Sequence, residues 1–272
     1  MDICFIGGGN MATALIGGML GKDFVPQQIS VVEINAENRT RIWNDFSIQT
    51  FENFSEGIAH SQIILLAVKP QQLREVSLQL APSLRSEQLL ISIAAGVRAA
   101  DLARWIGSQM IVRAMPNTPA MIRNGITGLY ALSAVSDTQR DQAQKIMATV
   151  GETIWLQDEM MMDAITAISG SGPAYVFYFI EALQQAAQKM GFSNADARRL
   201  SVSTFLGASK LAAASNEDVS MLRARVTSKN GTTDSAISSM ANNQIAEHIV
   251  EAALAAQARS HKIGDEIGDE RK

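Results

Sequence analysis

Short, uninterrupted apolar runs recur through the first half of the chain and alternate with segments of helical length and composition. The runs are β-branched or leucine-rich and do not alternate with polar residues, which predicts strands covered on both faces. The predicted strands are Ile3–Ile6, Ile29–Ile34, Ile63–Val68, Leu89–Ile93, Met110–Met115, Gly128–Ala131 and Thr153–Leu156. Their alternation with helices such as Met11–Leu20, Ala36–Asn44 and Gln71–Leu80 predicts a doubly wound, Rossmann-type α/β sheet.

The pattern changes near residue 158, where strand signals end and Ala, Ser, Met and Gln become dominant. Helical spacing then runs through Ala174–Met190, Asn194–Ala214 and Thr233–Arg259. These weakly polar, alanine-rich helices suit close helix–helix contact, including contact between subunits. We therefore predict an α/β domain over residues 1–157, an all-helical domain over 158–263 and a disordered tail over 264–272.

The composition removes several classes of function. With 47% apolar and 18% charged residues, the 272-residue chain is typical of a folded globular protein. Its 23 basic and 27 acidic residues give a net charge of −4, so nucleic acid is not an expected partner. A single cysteine, Cys4, excludes a disulfide framework, and the three histidines lack the paired spacing of a zinc site.

The apolar stretch over residues 3–21 resembles a signal peptide in hydrophobicity alone. Asp2 stands where a positive charge is expected, and glycines and Asn10 interrupt the run. No other stretch approaches the roughly 20 apolar residues that a membrane-spanning helix needs. We therefore predict a cytoplasmic protein without a membrane partner.

A glycine-rich loop follows the first predicted strand directly and opens a helix. It reads Gly7-Gly8-Gly9-Asn10-Met11-Ala12, which is the Gly-x-Gly-x-x-Ala pattern of dinucleotide-binding loops. In this pattern Gly7 allows a tight turn, Gly9 lets the backbone approach a pyrophosphate, and Ala12 lets the helix pack on the strand. Because the helix N-terminus also offers free N–H groups and a positive dipole, the context favours NAD(P) binding over a plain turn.

Two opposing signals for the choice of cofactor follow the second predicted strand. Glu33 stands where an acid binds the ribose hydroxyls of NAD, and it would repel a 2′-phosphate that it faced. Asn35 and Arg39 lie just beyond it, and Arg39 is either a partner for the 2′-phosphate of NADP or a solvated helix residue. The sequence thus predicts NADPH as the cofactor and leaves NADH open.

Three loops at predicted carboxyl ends of strands carry small or rigid residues. They read Ala67-Val68-Lys69-Pro70, Ile93-Ala94-Ala95-Gly96 and Met115-Pro116-Asn117-Thr118-Pro119. Small residues permit close approach of a flat ring, and the prolines fix a loop that would aim Asn117 and Thr118 inward. Since ligands of open α/β sheets bind outside the carboxyl ends of strands, the three loops predict one site.

Two hydroxyl- and glycine-rich loops, Ser169–Pro173 and Ser228–Thr233, open helices in the second half. Each is explained by ordinary helix capping, but a run of N–H groups and hydroxyls also suits a small carboxylate. The sequence has no nucleophile elbow, P-loop or Cys/His pair. Reduction of a protonated imine needs no base, so it fits this inventory better than alcohol oxidation does.

Together these motifs resemble the Δ1-pyrroline-5-carboxylate reductase family. The resemblance implies reduction of a small-molecule substrate, pyrroline-5-carboxylate, to L-proline with NADPH or NADH, the last step of proline synthesis. It also implies an N-terminal Rossmann domain and a helical domain that intertwines with a partner into a homodimer, with five dimers forming a decamer in some members. It rests on six segments in the family's order that cover nearly the whole chain: Phe5–Met11, Ala67–Gln71, Ser92–Val97, Met115–Ala120, Ser169–Tyr175 and Val226–Thr233.

The resemblance also assigns roles to individual residues. The pyrophosphate loop would be Gly7, Gly8, Gly9, Asn10, Met11 and Ala12, and the segment along the cofactor would be Ala67, Val68, Lys69 and Pro70. Asn53 resembles a ribose-contacting asparagine, and Ala95 and Asn117 resemble the nicotinamide wall. In the substrate loop, backbone N–H groups hold the carboxylate and Thr233 hydrogen-bonds the ring nitrogen; its residues are Ser228, Asn230, Gly231, Thr232 and Thr233.

One departure and three alternatives accompany this interpretation. The family usually has Pro-Gly-Gly where this chain has Lys229-Asn230-Gly231, and asparagine tolerates the left-handed conformation that a glycine supplies. A reductase of a related cyclic imine is one alternative. A 3-hydroxyacid-type dehydrogenase is disfavoured because Tyr175–Gln188 contains no lysine. A non-catalytic dinucleotide sensor is the third, and it would need no carboxylate-binding loop.

Overall fold

One eight-stranded sheet organises the N-terminal half of the computed structural model, which describes residues 1–269. Its strands are β1 (Ile3–Ile6), β2 (Ile29–Val32), β3 (Gln49–Phe51), β4 (Ile63–Leu66), β5 (Leu89–Ser92), β6 (Ile111–Met115), β7 (Gly125–Ala131) and β8 (Gly151–Trp155). They are ordered β3-β2-β1-β4-β5-β6-β7-β8, and only the β6–β7 pair is antiparallel. The strand order reverses between β1 and β4, which is where doubly wound sheets bind ligands.

Helices connect the strands and then make up the second half of the chain. Those of the first half are α1 (Asn10–Leu20), α2 (Ala36–Phe46), α3 (Phe54–Ile58), α4 (Pro70–Leu80), α5 (Ala99–Ile106), α6 (Asp137–Met147) and α7 (Met161–Ile165). A π-helical turn over Thr166–Gly170 follows α7. The later helices are α8 (Gly172–Lys189), α9 (Asn194–Ala213), α10 (Val219–Arg225), α11 (Thr232–Asn242) and α12 (Ile245–Gly268). The predicted fold class is confirmed.

The sheet has a buried apolar cluster on each face, which explains why its central strands β1 and β4 are apolar throughout. In β1, Phe5 packs in the same cluster as Leu15 of α1, whereas Ile6 packs with Leu73 of α4 on the other face. Cys4 shares the second cluster, and burial raises the pKa of its thiol to about 11. Successive strand residues point to opposite faces, so a strand covered twice needs apolar residues at every position.

The sequence pattern does not signal β3. This strand has three residues, lies at the edge of the sheet and pairs in parallel with β2 only. Its residues Gln49 and Thr50 are polar, and Gln49 is exposed. A short strand with one neighbour buries little surface, so it carries no apolar run.

Two predictions about the C-terminal region are wrong. The single helix predicted over Thr233–Arg259 is broken, since α11 ends at Asn242 and α12 begins at Ile245, with Gln244 at φ 54°. The tail predicted as disordered is helical over residues 264–268, because α12 continues to Gly268. Its glycines are contact points rather than flexible positions: a Cβ on Gly264 would lie 3.0 Å from the Gly96 carbonyl oxygen. Residues 270–272 lie outside the described residues.

Two compact units make up the described chain. The first contains Met1–Ser171 together with the described residues from Ala256 onward, and the second contains Gly172–Ala255. The first unit therefore extends past the boundary expected at residue 157. Within residues 1–269, no helix is long and apolar enough to cross a membrane. The same residues contain no group of three or more His, Cys, Asp or Glu that would hold a metal ion.

Candidate active site

The glycine loop makes the tight turn that its sequence predicts. Gly7 has φ +97°, and its N–H donates to the Val32 carbonyl at 2.8 Å. A Cβ on Gly7 would lie 3.0 Å from the Ala67 carbonyl oxygen, so a side chain there meets backbone. Gly9 is the N-cap of α1 and makes no side-chain cap, and a Cβ on it would meet nothing within 4 Å. The N-terminus of α1 is therefore open for an anion.

A cavity of about 330 Å³ lies at this loop, at the reversal point between β1 and β4. It brings together predicted cofactor residues from two loops, namely the three glycines and Ala67, Val68 and Lys69. The open backbone beside an anion-binding helix terminus fits a dinucleotide phosphate. The lining residues are Ile6, Gly7, Gly8, Gly9, Val32, Glu33, Ile34, Asn38, Phe54, Ala67, Val68, Lys69, Gln72 and Val76.

Glu33 reaches from the end of β2 into this cavity and binds two backbone amides. Its Oε2 accepts from the Gly8 N–H at 3.1 Å, and its Oε1 accepts from the Asn35 N–H at 2.9 Å. A Cβ on Gly8 would lie 2.2 Å from Ile42 Cδ1, so a side chain at the middle glycine would displace the end of the Ile42 side chain. The Gly-x-Gly-x-x-Ala pattern leaves that position free, and the sequence gives no signal for this contact.

Arg39 points away from the cavity. Its Nη1 donates to the carbonyls of Glu33 at 2.7 Å and Ile34 at 2.9 Å, and its Nη2 lies 3.3 Å from Glu52 Oε2. The side chain is 20% exposed and does not line the cavity. A second arginine that the sequence does not single out, Arg41, donates to the Gly8 carbonyl at 3.3 Å. Of the two, Arg41 is the one that contacts the glycine loop.

Apart from Lys69, which lines the cavity, the predicted cofactor residues at the starts of α1, α2, α3 and α4 do not line it. Asn10 and Met11 begin α1, and Ala12 is fully buried, as the packing of helix on strand requires. Asn35 is the N-cap of α2, where its side chain accepts from the Asn38 N–H at 2.9 Å. Asn53 and Lys69 are the N-caps of α3 and α4 without side-chain caps, and Pro70 is the first residue of α4.

Asn117 is 8% exposed, and both polar atoms of its side-chain amide form hydrogen bonds within the protein. Its Nδ2 donates to the Ser169 carbonyl at 3.3 Å, and its Oδ1 accepts from the Ile126 N–H at 3.0 Å. Asn117 therefore connects the loop after β6 to β7 and to the π-helical turn. Ala95 lies in the loop after β5 and is partly exposed.

Next to this loop, the buried Arg113 and the partly exposed Glu159 form an ion pair that the sequence does not reveal. Arg113, 8% exposed, lies 2.5 Å from Glu159, which also accepts from the Ala99 N–H at 2.6 Å. The pair thereby holds the start of α5. Arg98, the residue before α5, donates a hydrogen bond to Asp265 of α12, and this bond lowers the pKa of the Asp265 carboxyl.

The second unit carries the predicted substrate loop at the start of α11. Asn230 has φ 59°, so the expected left-handed asparagine is present, and its N–H donates to Asp234 Oδ2 at 2.9 Å. The Gly231 N–H donates to the Ser228 carbonyl at 2.9 Å. Because the first N–H groups of a helix have no intrahelical acceptor, those of Thr232 and Thr233 remain for a ligand.

A mostly parallel sheet with a glycine loop and an open helix terminus at its reversal point defines a dinucleotide-binding protein of the Rossmann class. Comparison with known proteins supports this class and narrows it. Residues 2–96 match a family model described as NADP oxidoreductase coenzyme F420-dependent. Residues 159–263 match one described as pyrroline-5-carboxylate reductase dimerisation.

Comparison with individual proteins points to the same family along nearly the whole chain. A pyrroline-5-carboxylate reductase of Pseudomonas aeruginosa is 45% identical over 268 residues, which is 98% of each chain. The structure of one from Coxiella burnetii is 37% identical, has a TM-score of 0.92 and covers 96% of this chain and 98% of its own. The corresponding Plasmodium falciparum structure, with NADP bound, is 29% identical with a TM-score of 0.87, covering 97% and 98%. The chain belongs to the pyrroline-5-carboxylate reductase family.

Proposed function

We propose that the protein reduces 1-pyrroline-5-carboxylate to L-proline, with NADPH as reductant and NADH as a second usable cofactor. The observation that carries this proposal is that family membership coincides with an intact glycine-loop cavity and an uncapped α11 terminus. NADPH is favoured by the NADP oxidoreductase match and by the NADP-bound Plasmodium structure. Glu33 in the cavity keeps NADH in the proposal, since an acid there suits a ribose without a 2′-phosphate.

We assign the cofactor to residues of the first unit. Backbone groups of the glycine loop and the α1 terminus hold the pyrophosphate, and the Ala67–Pro70 segment lies along the dinucleotide. Ala95 and Asn117 form the nicotinamide wall, where Asn117 acts by fixing the loops around it. When bound, the reduced nicotinamide supplies the hydride. The glycine loop of this assignment comprises Gly7, Gly8, Gly9, Asn10, Met11 and Ala12. Asn35 and Asn53 complete the cofactor residues, and Arg39 acts on the cofactor only through the carbonyls of Glu33 and Ile34 that it holds.

We assign the substrate to the loop before α11. Its carboxylate accepts from the N–H groups of Thr232 and Thr233, and the Ser228 hydroxyl adds a donor. The Thr233 hydroxyl hydrogen-bonds the ring nitrogen of the iminium. Since that nitrogen already carries its proton, hydride addition to the C=N carbon gives the amine without a catalytic base. Positioning and polarisation of the C=N bond supply the rate.

Homodimerisation through the helical half and a cytoplasmic location complete the proposal. The dimerisation match covers residues 159–263, and the helices of this region expose large apolar side chains, such as Phe177 at 65% and Tyr178 at 71%. Apolar side chains exposed in this number mark an interaction surface. Sedimentation of the purified protein distinguishes a dimer from a decamer of five dimers.

The test is oxidation of NADPH and of NADH by the purified protein with pyrroline-5-carboxylate, with proline measured directly. We expect proline formation with both cofactors and a higher kcat/KM with NADPH. Thr233→Ala should lower turnover or substrate affinity while cofactor affinity stays unchanged. Cofactor binding without turnover would instead support a sensor, and turnover only with a six-membered cyclic imine would support the related reductase.

A further inference from the structure

The C-terminal part of α12 packs against the loop after β5. We call residues 256–268 the α12 end and Ala94–Val97 the β5 loop. Gly96 in this loop has φ +77°, and a Cβ on it would lie 2.6 Å from Ile263 Cγ2. A Cβ on Gly264 would lie 3.0 Å from the Gly96 carbonyl oxygen. Two glycines thus allow helix and loop to approach at backbone distance.

Polar contacts fix the α12 end at both of its sides. The Ser260 hydroxyl donates to Asp163 Oδ1 at 2.6 Å, and His261 Nδ1 lies 3.3 Å from Asp163 Oδ2. One turn further, Asp265 lies 2.5 Å from Arg98, the residue that follows the β5 loop. Asp163 is 19% exposed, so its contacts are shielded from solvent more than ordinary surface pairs are.

The chain just after the β5 loop is also held by the Arg113–Glu159 pair described above. Glu159 accepts from the Ala99 N–H and pairs with Arg113, and Ala94 and Val97 are themselves buried. This pair and the α12 end line the same cavity of about 90 Å³, and its lining also includes Gly96 and Asp163. Two sets of contacts therefore hold this part of the chain: those of the α12 end and those of the Arg113–Glu159 pair.

We propose that the α12 end is a positioning element for the nicotinamide wall, with Asp163 and Ser260 as its positioning residues. The inference rests on the proposed function, because that function assigns Ala95 of the β5 loop to the nicotinamide. Removing the Asp163 contacts takes away one of the polar anchors of the α12 end, loosens its packing and lets the β5 loop move. If the nicotinamide wall moves, the dinucleotide phosphates stay bound but the distance for hydride transfer changes. Small changes in this distance lower the rate of hydride transfer strongly.

The first test is amide hydrogen exchange of the cofactor-free protein, measured for peptides that cover residues 93–99. Asp163→Ala should raise the exchange rate of these peptides about tenfold, and Ser260→Ala should raise it less. Lys262→Ala is the matched control, because Lys262 is exposed on the same segment. Unchanged exchange in Asp163→Ala would overturn the proposal.

The second test is kinetic and uses the intact chain with NADPH and pyrroline-5-carboxylate. In Asp163→Ala, kcat should fall about tenfold while the Kd for NADPH stays within about twofold, and the primary isotope effect with 4-deuterated NADPH should rise. An equal loss of NADPH affinity and kcat, or wild-type kinetics, would overturn the positioning role. If Asp163→Ala does not fold, Ser260→Ala carries both tests. A wild-type protein without turnover would refute the proposed function, whereas the exchange result would still decide whether the α12 end holds the loop.

Discussion

The Glu33 carboxylate accepts a hydrogen bond from the Gly8 amide at 3.1 Å and so joins the end of β2 to the centre of the glycine loop. The same carboxylate lines the cavity that we assign to the dinucleotide. Glu33 therefore has two effects on the cofactor. It stabilises the loop conformation, and its charge opposes a 2′-phosphate.

Glu33→Gln separates these two effects. Removing the charge should raise the ratio of kcat/KM for NADPH to that for NADH by about tenfold, which corresponds to ~1.4 kcal/mol. The affinity for both cofactors should fall modestly, because the glutamine amide has one acceptor oxygen and leaves the N–H of Gly8 or of Asn35 without its partner. Steady-state kinetics with each cofactor measures both changes. Glu37→Gln, an exposed acid in the first turn of α2, is the control and should leave the ratio unchanged.

Arg39 is expected to act mainly on stability. Its guanidinium donates to the carbonyls of Glu33 and Ile34, so Arg39→Ala leaves two acceptors of the β2–α2 turn without their partner. The free energy of unfolding should fall by about 1–3 kcal/mol. Urea unfolding measures this loss, and the cofactor ratio is measured beside it. A large drop in NADPH affinity at unchanged stability would show instead that Arg39 swings to the 2′-phosphate.

The left-handed conformation of Asn230 predicts opposite results for two substitutions. Asn230→Gly should preserve the loop, whereas Asn230→Ala places a residue with a poor left-handed conformation at φ 59° and should cost ~1 kcal/mol. If the loop binds the substrate carboxylate, the KM for pyrroline-5-carboxylate should rise in the alanine variant alone. Equal KM values for the two variants would show that the conformation of this loop does not affect substrate binding.

The buried thiol of Cys4 predicts a loss of stability in alkali. Burial raises its pKa from 9.0 to about 11, so above pH 9 the unfolded chain releases a proton that the folded chain retains. Stability should therefore fall by about 1 kcal/mol per pH unit between these two values, and no such effect should occur below them. The measurement is urea unfolding of the wild type and of Cys4→Ala at neutral pH and near pH 10. A difference between the two proteins that does not change with pH would contradict the burial of an intact thiol.

The sheet and the glycine loop could be predicted because their causes are local. A strand covered on both faces must be apolar, and a tight turn with φ +97° at Gly7 requires a glycine. The edge strand β3 is not required to be apolar, so no apolar run predicts it. The helical α12 end could not be predicted because its glycines pack against residues that are distant in the sequence. Nothing in the sequence around Gly264 indicates that Gly96 packs against it.

The sequence predicts which residues gather at the site better than it predicts where their side chains point. The cavity gathers the glycines with Ala67, Val68 and Lys69, as their positions at strand ends predict. The side-chain directions of Arg39 and Asn117 were not predictable, because each is decided by carbonyl and amide groups that only the folded chain brings within reach. The same holds for Arg41 on the Gly8 carbonyl.

The fate of a labelled hydride shows directly whether the protein reduces the cyclic imine. The purified protein is incubated with pyrroline-5-carboxylate and NADPH deuterated at the transferred C4 position, and the proline is analysed by mass spectrometry. We expect proline that carries a single deuterium at the former imine carbon. Unlabelled proline, or oxidation of the cofactor without proline, would contradict direct hydride transfer to the cyclic imine.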